Sequence, residues 1–189
     1  MVEPIRCEKK IKKMINYLNE WGRDRDALLF RFGINTILRV SDIIKLRYCD
    51  IYDNNYKFKE YLNLTEQKTK SNRKIKINKV LRRELNKYCK YYSLEGEDYV
   101  FFSVRYPDKH IDRIQAWRVL KKASMKVGIE NFGTHSMRKT LAYHIYKKTD
   151  DIALVMKMLN HTSPSVTLRY IGIDQDSIDK VYDDDQFAF

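Results

Sequence analysis

Glycine and proline are scarce in this chain, with six and three in 189 residues and no Gly/Ser/Pro-rich stretch. That excludes a flexible spacer between separate domains as well as a collagen-like or low-complexity composition. Cysteine is scarce too: Cys7, Cys49 and Cys89 are an odd number, widely spaced, with no CxxC pair. They read as reduced thiols, neither a disulfide framework nor a zinc site. No apolar run approaches the ~20 residues of a membrane helix. The opening MVEPIRCEKKIKKM is charged where a signal peptide turns apolar. A cytoplasmic protein with no membrane partner is expected. The four histidines, His110, His135, His144 and His161, form no ligand cluster with metal-site spacing. No Gly-rich phosphate loop is present, which argues against a nucleotide-dependent metabolic enzyme. The expectation is an enzyme without metal or cofactor, or no enzyme at all.

What the chain has in excess is positive charge: net +12 and a pI near 9.5. Residues 173–189 hold six aspartates and one lysine, so a charge of −5 there masks +17 on residues 1–172. A basic body of this kind indicates nucleic acid as partner. The length suits one domain with a real core.

Helical periodicity appears in KKIKKMINYLNEW and RDALLFRFGINTIL, and a Ser41-Asp42 cap is expected to start a helix in DIIKLR. The period then changes. YLNLT and KIKIN alternate around the turn-rich KSNR and predict an antiparallel hairpin. Helical patterns return in VLRRELNKYCKYY, IQAWRVLKKASMKVGI, HSMRKTLAYHIYKK and DIALVMKMLN, with a short strand expected at DYVFFS. The fold class is α+β, mainly α-helical with a small antiparallel sheet.

Several residues stand out against that framework. Thr134 reads as an N-cap, which puts His135 in the first helical turn and Arg138 three residues on, on the same face. Arg138 shares a stripe with Leu141, Ala142 and Ile145, the side that is normally buried. It therefore needs a fixed anion, either a carboxylate or a bound phosphate. Arg39 lies at a helix junction between Leu38 and Val40, with Asp42 as a natural ion-pair partner. Lys68 has the parity of Leu62, Leu64 and Glu66 and so points to the packing face of the hairpin, although Lys70 and Lys74 compete for the same role. Ser163 can cap a helix with Pro164 at its first position and Gly172 at its end. Tyr170 then rides the last turn, and His161 belongs to the preceding turn.

Taken in order, Arg39, Lys68, His135-x-x-Arg138, His161 and Tyr170 resemble the tyrosine recombinase (phage integrase) family. LLFRFGINTILRVSDIIKLRYCDI is similar to its first-arginine segment, EQKTKSNRKIKI to its lysine hairpin, GTHSMRKTLAYHI to its His-x-x-Arg helix, and LNHTSPSVTLRYI to its nucleophile block. The chain departs from the commonest pattern at Ile37, Lys139 and Asn160 without losing a functional group.

The resemblance implies the DNA breaking-rejoining fold, with a catalytic domain over 1–172, an acidic tail over 173–189 and no amino-terminal core-binding domain. It implies site-specific recombination through a 3′-phosphotyrosyl intermediate. Tyr170 would be the nucleophile, Arg39 and Arg138 the phosphate clamp, Lys68 the acid, His135 a proton-transfer partner and His161 a phosphate ligand. The partners implied are double-stranded DNA, an accessory DNA-binding protein and a homotetramer on DNA formed by tail exchange through Ile178, Val181, Tyr182, Phe187 and Phe189. A type IB topoisomerase-like relaxing enzyme and a non-catalytic DNA-binding regulator are the competing readings.

Overall fold

The computed structural model describes residues 2–20, 24–68, 70–133, 135–173 and 182. Its architecture follows from one unusual helix. The helix α2 (Asp24–Asn35) buries Asp26, Ala27, Leu28, Leu29, Phe30, Phe32 and Gly33, so it is covered nearly all round and is central. Around it pack α1 (Glu8–Glu20), α5 (Lys79–Tyr91), α6 (Arg113–Lys126) and α7 (Ser136–Thr149). Each outer helix offers a stripe. Met14 and Leu18, four apart, are the buried pair of α1; Leu81, Leu85, Tyr88 and Cys89 are that of α5. Two of these helices have side-chain caps: Asn78 accepts from the Leu81 amide and Asp112 from the Gln115 amide, each at 2.8 Å.

Short helices α3 (Val40–Ile43) and α4 (Tyr48–Ile51) lead into the hairpin β1 (Tyr61–Thr65) and β2 (Asn72–Lys76). The strands pair antiparallel with Leu62 opposite Ile75 and Leu64 opposite Arg73. A two-stranded ribbon is marginal by itself. Leu62, fully buried, anchors it to the helices.

The chain closes with α8 (Ile152–Leu159) and α9 (Pro164–Ile171). Asn160 and Gly172 end them in the left-handed conformation, with φ of 58° and 79°. These two helices form a second apolar cluster in which Ile37, Ala142, Tyr143, Val155, Leu159, Ile171 and Ile173 are buried. The main cluster takes Leu38, Val40 and Met137. Residues 37–40 and α7 thus contribute to both clusters, and Arg39 and Arg138 lie where the two meet. The amino-terminal segment straps this seam from behind. The Ile5 amide donates to Thr140 Oγ1 at 2.8 Å, Lys139 Nζ to the Val2 carbonyl at 2.8 Å, and Arg6 Nη2 to the Gly172 carbonyl at 3.2 Å.

Two expectations change. Residues 98–103 make only isolated bridges, Arg47 with Tyr99 and Phe102 with His110, so DYVFFS forms no strand among the described residues. Ser41-Asp42 is no cap: α3 starts at Val40, with Arg39 in the cap position at φ −77° and ψ 147°. Asp42 is instead buried inside the helix, where its Oδ1 accepts from the Gln67 amide at 3.2 Å and fastens the hairpin turn.

Candidate active site

Tyr170 sits in the last turn of α9 because Ser163 caps the helix, Pro164 starts it and Gly172 ends it, all as the local sequence dictates. Its phenol lies between two imidazoles. The Tyr170 hydroxyl is 3.4 Å from His135 Nδ1, and the His161 ring stands edge-on to the Tyr170 ring at 5.2 Å between centroids. His161 and Tyr170, nine positions apart, meet because the α8–α9 turn folds one against the other. His135 is the N-cap of α7, one position before its first turn, and Thr134 lies outside the described residues. The ammonium of Lys139 covers the Tyr170 ring at 4.9 Å from its centroid.

Both imidazoles are held below their ordinary pKa, first by burial and then by the Arg138 and Arg39 charges. Lys139 and Lys68 add smaller contributions to the lowering at His135. A neutral His135 can accept from the tyrosine. Burial pushes Tyr170 up, and Arg138 and Arg39 oppose that shift. For His161 the tautomer follows from its neighbour. Thr167 Oγ1 spends its proton on the Ser163 carbonyl at 2.8 Å, so His161 Nδ1 donates to that hydroxyl at 3.2 Å and Nε2 faces outward from the pair.

The anion required by the buried stripe of α7 is Glu66, which has no exposed surface. Its Oε2 is 2.8 Å from Arg39 Nη1, and its Oε1 is 3.5 Å from Arg138 Nη1 and 3.9 Å from Arg73 Nε. Arg39 is therefore paired with Glu66, and Asp42 is not its partner. Although ion-paired, Arg39 Nη1 and Arg138 Nη1 are both buried without an aligned hydrogen bond among the described residues. Arg138 also donates through Nη2 to the Leu159 carbonyl at 2.8 Å.

Lys68 corrects a second expectation. Strand β1 ends at Thr65, so strand parity does not extend to residue 68; Lys68 is an exposed residue of the turn. Of its competitors, Lys74 is turned to the outer face of the hairpin, 4.2 Å above the Tyr61 ring, while Lys70 adopts the left-handed conformation with φ 55°. Glu66 and Arg73 are the site residues that sequence reasoning passed over. A signal existed: Glu66 has the parity of Leu62, and an inward carboxylate demands cations.

A tyrosine hydroxyl on a neutral imidazole, beside two guanidiniums and one exposed turn lysine, is a constellation suited to nucleophilic attack on a phosphodiester. The chain belongs to the phage integrase family, whose model matches residues 7–176. A probable integrase/recombinase, YoeC of Bacillus subtilis, is 45% identical over 182 residues, 96% of either chain. Tyrosine recombinase XerA of Pyrococcus furiosus is 30% identical over 88% of this chain and 56% of its own length. The chain thus spans nearly all of the first relative and about half the length of XerA. Among solved structures, a XerA recombinase crystal structure shares the fold with a TM-score of 0.73 at 20% identity, covering 96% of this chain and 63% of that one. A lambda integrase tetramer bound to a Holliday junction does so with a TM-score of 0.68 at 18% identity, covering 90% and 48%.

Proposed function

We propose that this protein is a tyrosine-type site-specific recombinase that cuts and rejoins double-stranded DNA through Tyr170. The observation that carries the reading is the 3.4 Å approach of the Tyr170 hydroxyl to His135 Nδ1 beside the Arg39 and Arg138 guanidiniums. Tyr170 Oη attacks the scissile phosphorus, the bond from phosphorus to O5′ breaks, and a 3′-phosphotyrosyl ester remains. The phenolic proton passes to His135. Lys68, on its exposed turn, protonates the departing 5′-oxygen. One phosphoester replaces another, so the step conserves bond energy and the 5′-hydroxyl of a partner strand can reverse it. Arg39 and Arg138 direct the N–H groups not turned to Glu66 at the non-bridging oxygens, where charge builds in the transition state. The arriving anion favours protonation of His161, whose Nε2–H then becomes a further donor.

The basic body supports DNA as the substrate, and action on DNA supports a cytoplasmic location. The lambda integrase neighbour, a tetramer on a Holliday junction, supports assembly of four copies on paired sites. The tail residues Ile178, Val181, Phe187 and Phe189 lie outside the described residues; only Tyr182, exposed, is described there. Their apolar character among aspartates suits docking on a neighbouring copy. Removal of residues 175–189 then lowers the number of protomers per DNA complex. An accessory DNA-binding protein completes the partners.

Covalent trapping tests the central claim. Wild type and Tyr170→Phe are incubated, without added metal, on end-labelled nicked DNA drawn from the sequence flanking the gene. Label migrating with wild type alone on a denaturing protein gel is expected; label in both lanes overturns the nucleophile. Joining of two sites distinguishes recombination from the relaxation that a type IB topoisomerase would perform on any supercoiled plasmid.

A further inference from the structure

The buried carboxylate of Glu66 does more than neutralise one arginine. Three guanidiniums meet it from three elements: Arg39 from the cap of α3, Arg73 from β2 and Arg138 from α7. Two of the three also hold α8. Arg73 Nη2 donates to the Met158 carbonyl and Arg138 Nη2 to the Leu159 carbonyl, neighbouring acceptors at the negative end of that helix. The next residues are Asn160 and His161. The hairpin bearing Lys68 is thereby joined, through one carboxylate and two arginines, to the turn that carries His161 and leads to Tyr170.

The charges have their own logic. Three arginines packed together repel one another in a medium of low dielectric. Glu66 offsets part of that repulsion, and the cluster keeps an excess of positive charge for a phosphodiester whose own charge grows toward −2 as the fifth bond to phosphorus forms. With no carboxylate among them the forks would splay apart. Because Oε1 and Oε2 engage Nη1 of different arginines, Glu66 also fixes the separation at which those groups present their remaining N–H bonds.

We infer that Glu66 and Arg73 are positioning residues of the cleavage step: Glu66 sets the Arg39–Arg138 clamp, and Arg73 ties the Lys68 hairpin to the His161 turn. The inference rests on the recombinase reading above and deepens it. Neither residue is asked to touch DNA.

The experiment measures single-turnover cleavage of the nicked substrate by wild type, Glu66→Gln, Glu66→Asp and Arg73→Met. Noncovalent affinity for the same DNA is measured in a Tyr170→Phe background. Glu66→Gln is expected to slow cleavage about 100-fold or more, the scale of losing one oriented donor, with affinity changed less than about threefold. Glu66→Asp keeps the charge but withdraws it by one methylene, and falls between. Arg73→Met keeps the clamp's carboxylate and slows cleavage with affinity unchanged, which covers the case in which Glu66→Gln fails to fold. A substrate with a neutral methylphosphonate at the scissile position separates positioning from damage. One non-bridging oxygen is gone, so the ratio of wild-type to Glu66→Gln rates shrinks. An equal ratio on both substrates, or affinity lost in step with rate, overturns the inference. Equal adduct from wild type and every variant overturns it alone, whereas no adduct from wild type overturns the recombinase reading itself.

Discussion

Replacing Leu62 by alanine tests whether the hairpin is held by the body or merely lies on it. Leu62 is fully buried, while Leu64 and Ile75 on the same face are only half-buried. Leu→Ala removes about 2 kcal/mol of transfer free energy at ~0.8 kcal/mol per methylene. The cavity left behind raises the total toward the ~2.7–5 kcal/mol of buried leucine truncations. A loss of about 3 kcal/mol is expected here, near the lower end, because a two-stranded ribbon can shift toward the gap. For a chain of this size that lowers Tm by roughly 6–12 °C. Leu64→Ala, half-buried on the same face, should cost about 1 kcal/mol. Urea denaturation gives the free energy, and amide exchange of residues 61–65 and 72–76 shows where it is lost. Cleavage measured well below the transition should fall further than the unfolded fraction explains, since Glu66 and Lys68 ride the same ribbon. Stability within 1 kcal/mol of wild type, with the ribbon amides as protected as before, would refute the anchoring argument.

The remaining predictions follow from single contacts. The cleavage rate should fall on acidification with its midpoint below 6.5, because the proposed base His135 is depressed from that ordinary value; a midpoint at or above it removes the neutral base. The stability that His135 and His161 contribute has the same sign: it is complete above the unfolded pKa and is lost as pH drops through the lowered native values, which urea melts at a series of pH values will show. Gly33→Ala puts a methyl group against Met137, whose own Cβ is 3.0 Å from the new atom, so α2 and α7 must separate. The cost should be about 1–3 kcal/mol by thermal melting. Thr140→Val deletes the acceptor of the Ile5 amide and the donor to the Ser136 carbonyl at 2.6 Å. About 1–3 kcal/mol is expected, with amide exchange at Ile5 accelerated well beyond that at α2.

Most of the fold was legible because the outer helices each bury one stripe, and the hairpin switches the period from helical to alternating. What was not legible depends on partners distant in sequence. DYVFFS has strand composition, but its neighbours offer only single bridging residues, Arg47 and His110, so no ladder forms. Ser41-Asp42 looks like a cap, yet the chain enters α3 at Val40 and the aspartate is drawn inward to the Gln67 amide. The candidate residues were picked out by type and spacing together with their resemblance, in order, to the family's motifs. The charge that organises them was not, since alternation was followed to Lys68, past the end of the strand, and not stopped at Glu66. Arg73 is opposite Leu64 across the ribbon, a relation that appears only once the register is known.

The strap formed by the first residues has a mechanical meaning. Val2 is hydrogen-bonded to the same ammonium that covers the ring of Tyr170, and Arg6 grips the carbonyl at the end of that tyrosine's helix. A pull on the amino terminus is therefore delivered to Tyr170 over a single side chain. If Tyr170 is the nucleophile proposed above, a group fused ahead of residue 2 is expected to alter the cleavage rate, and equal rates for tagged and untagged protein would refute the connection.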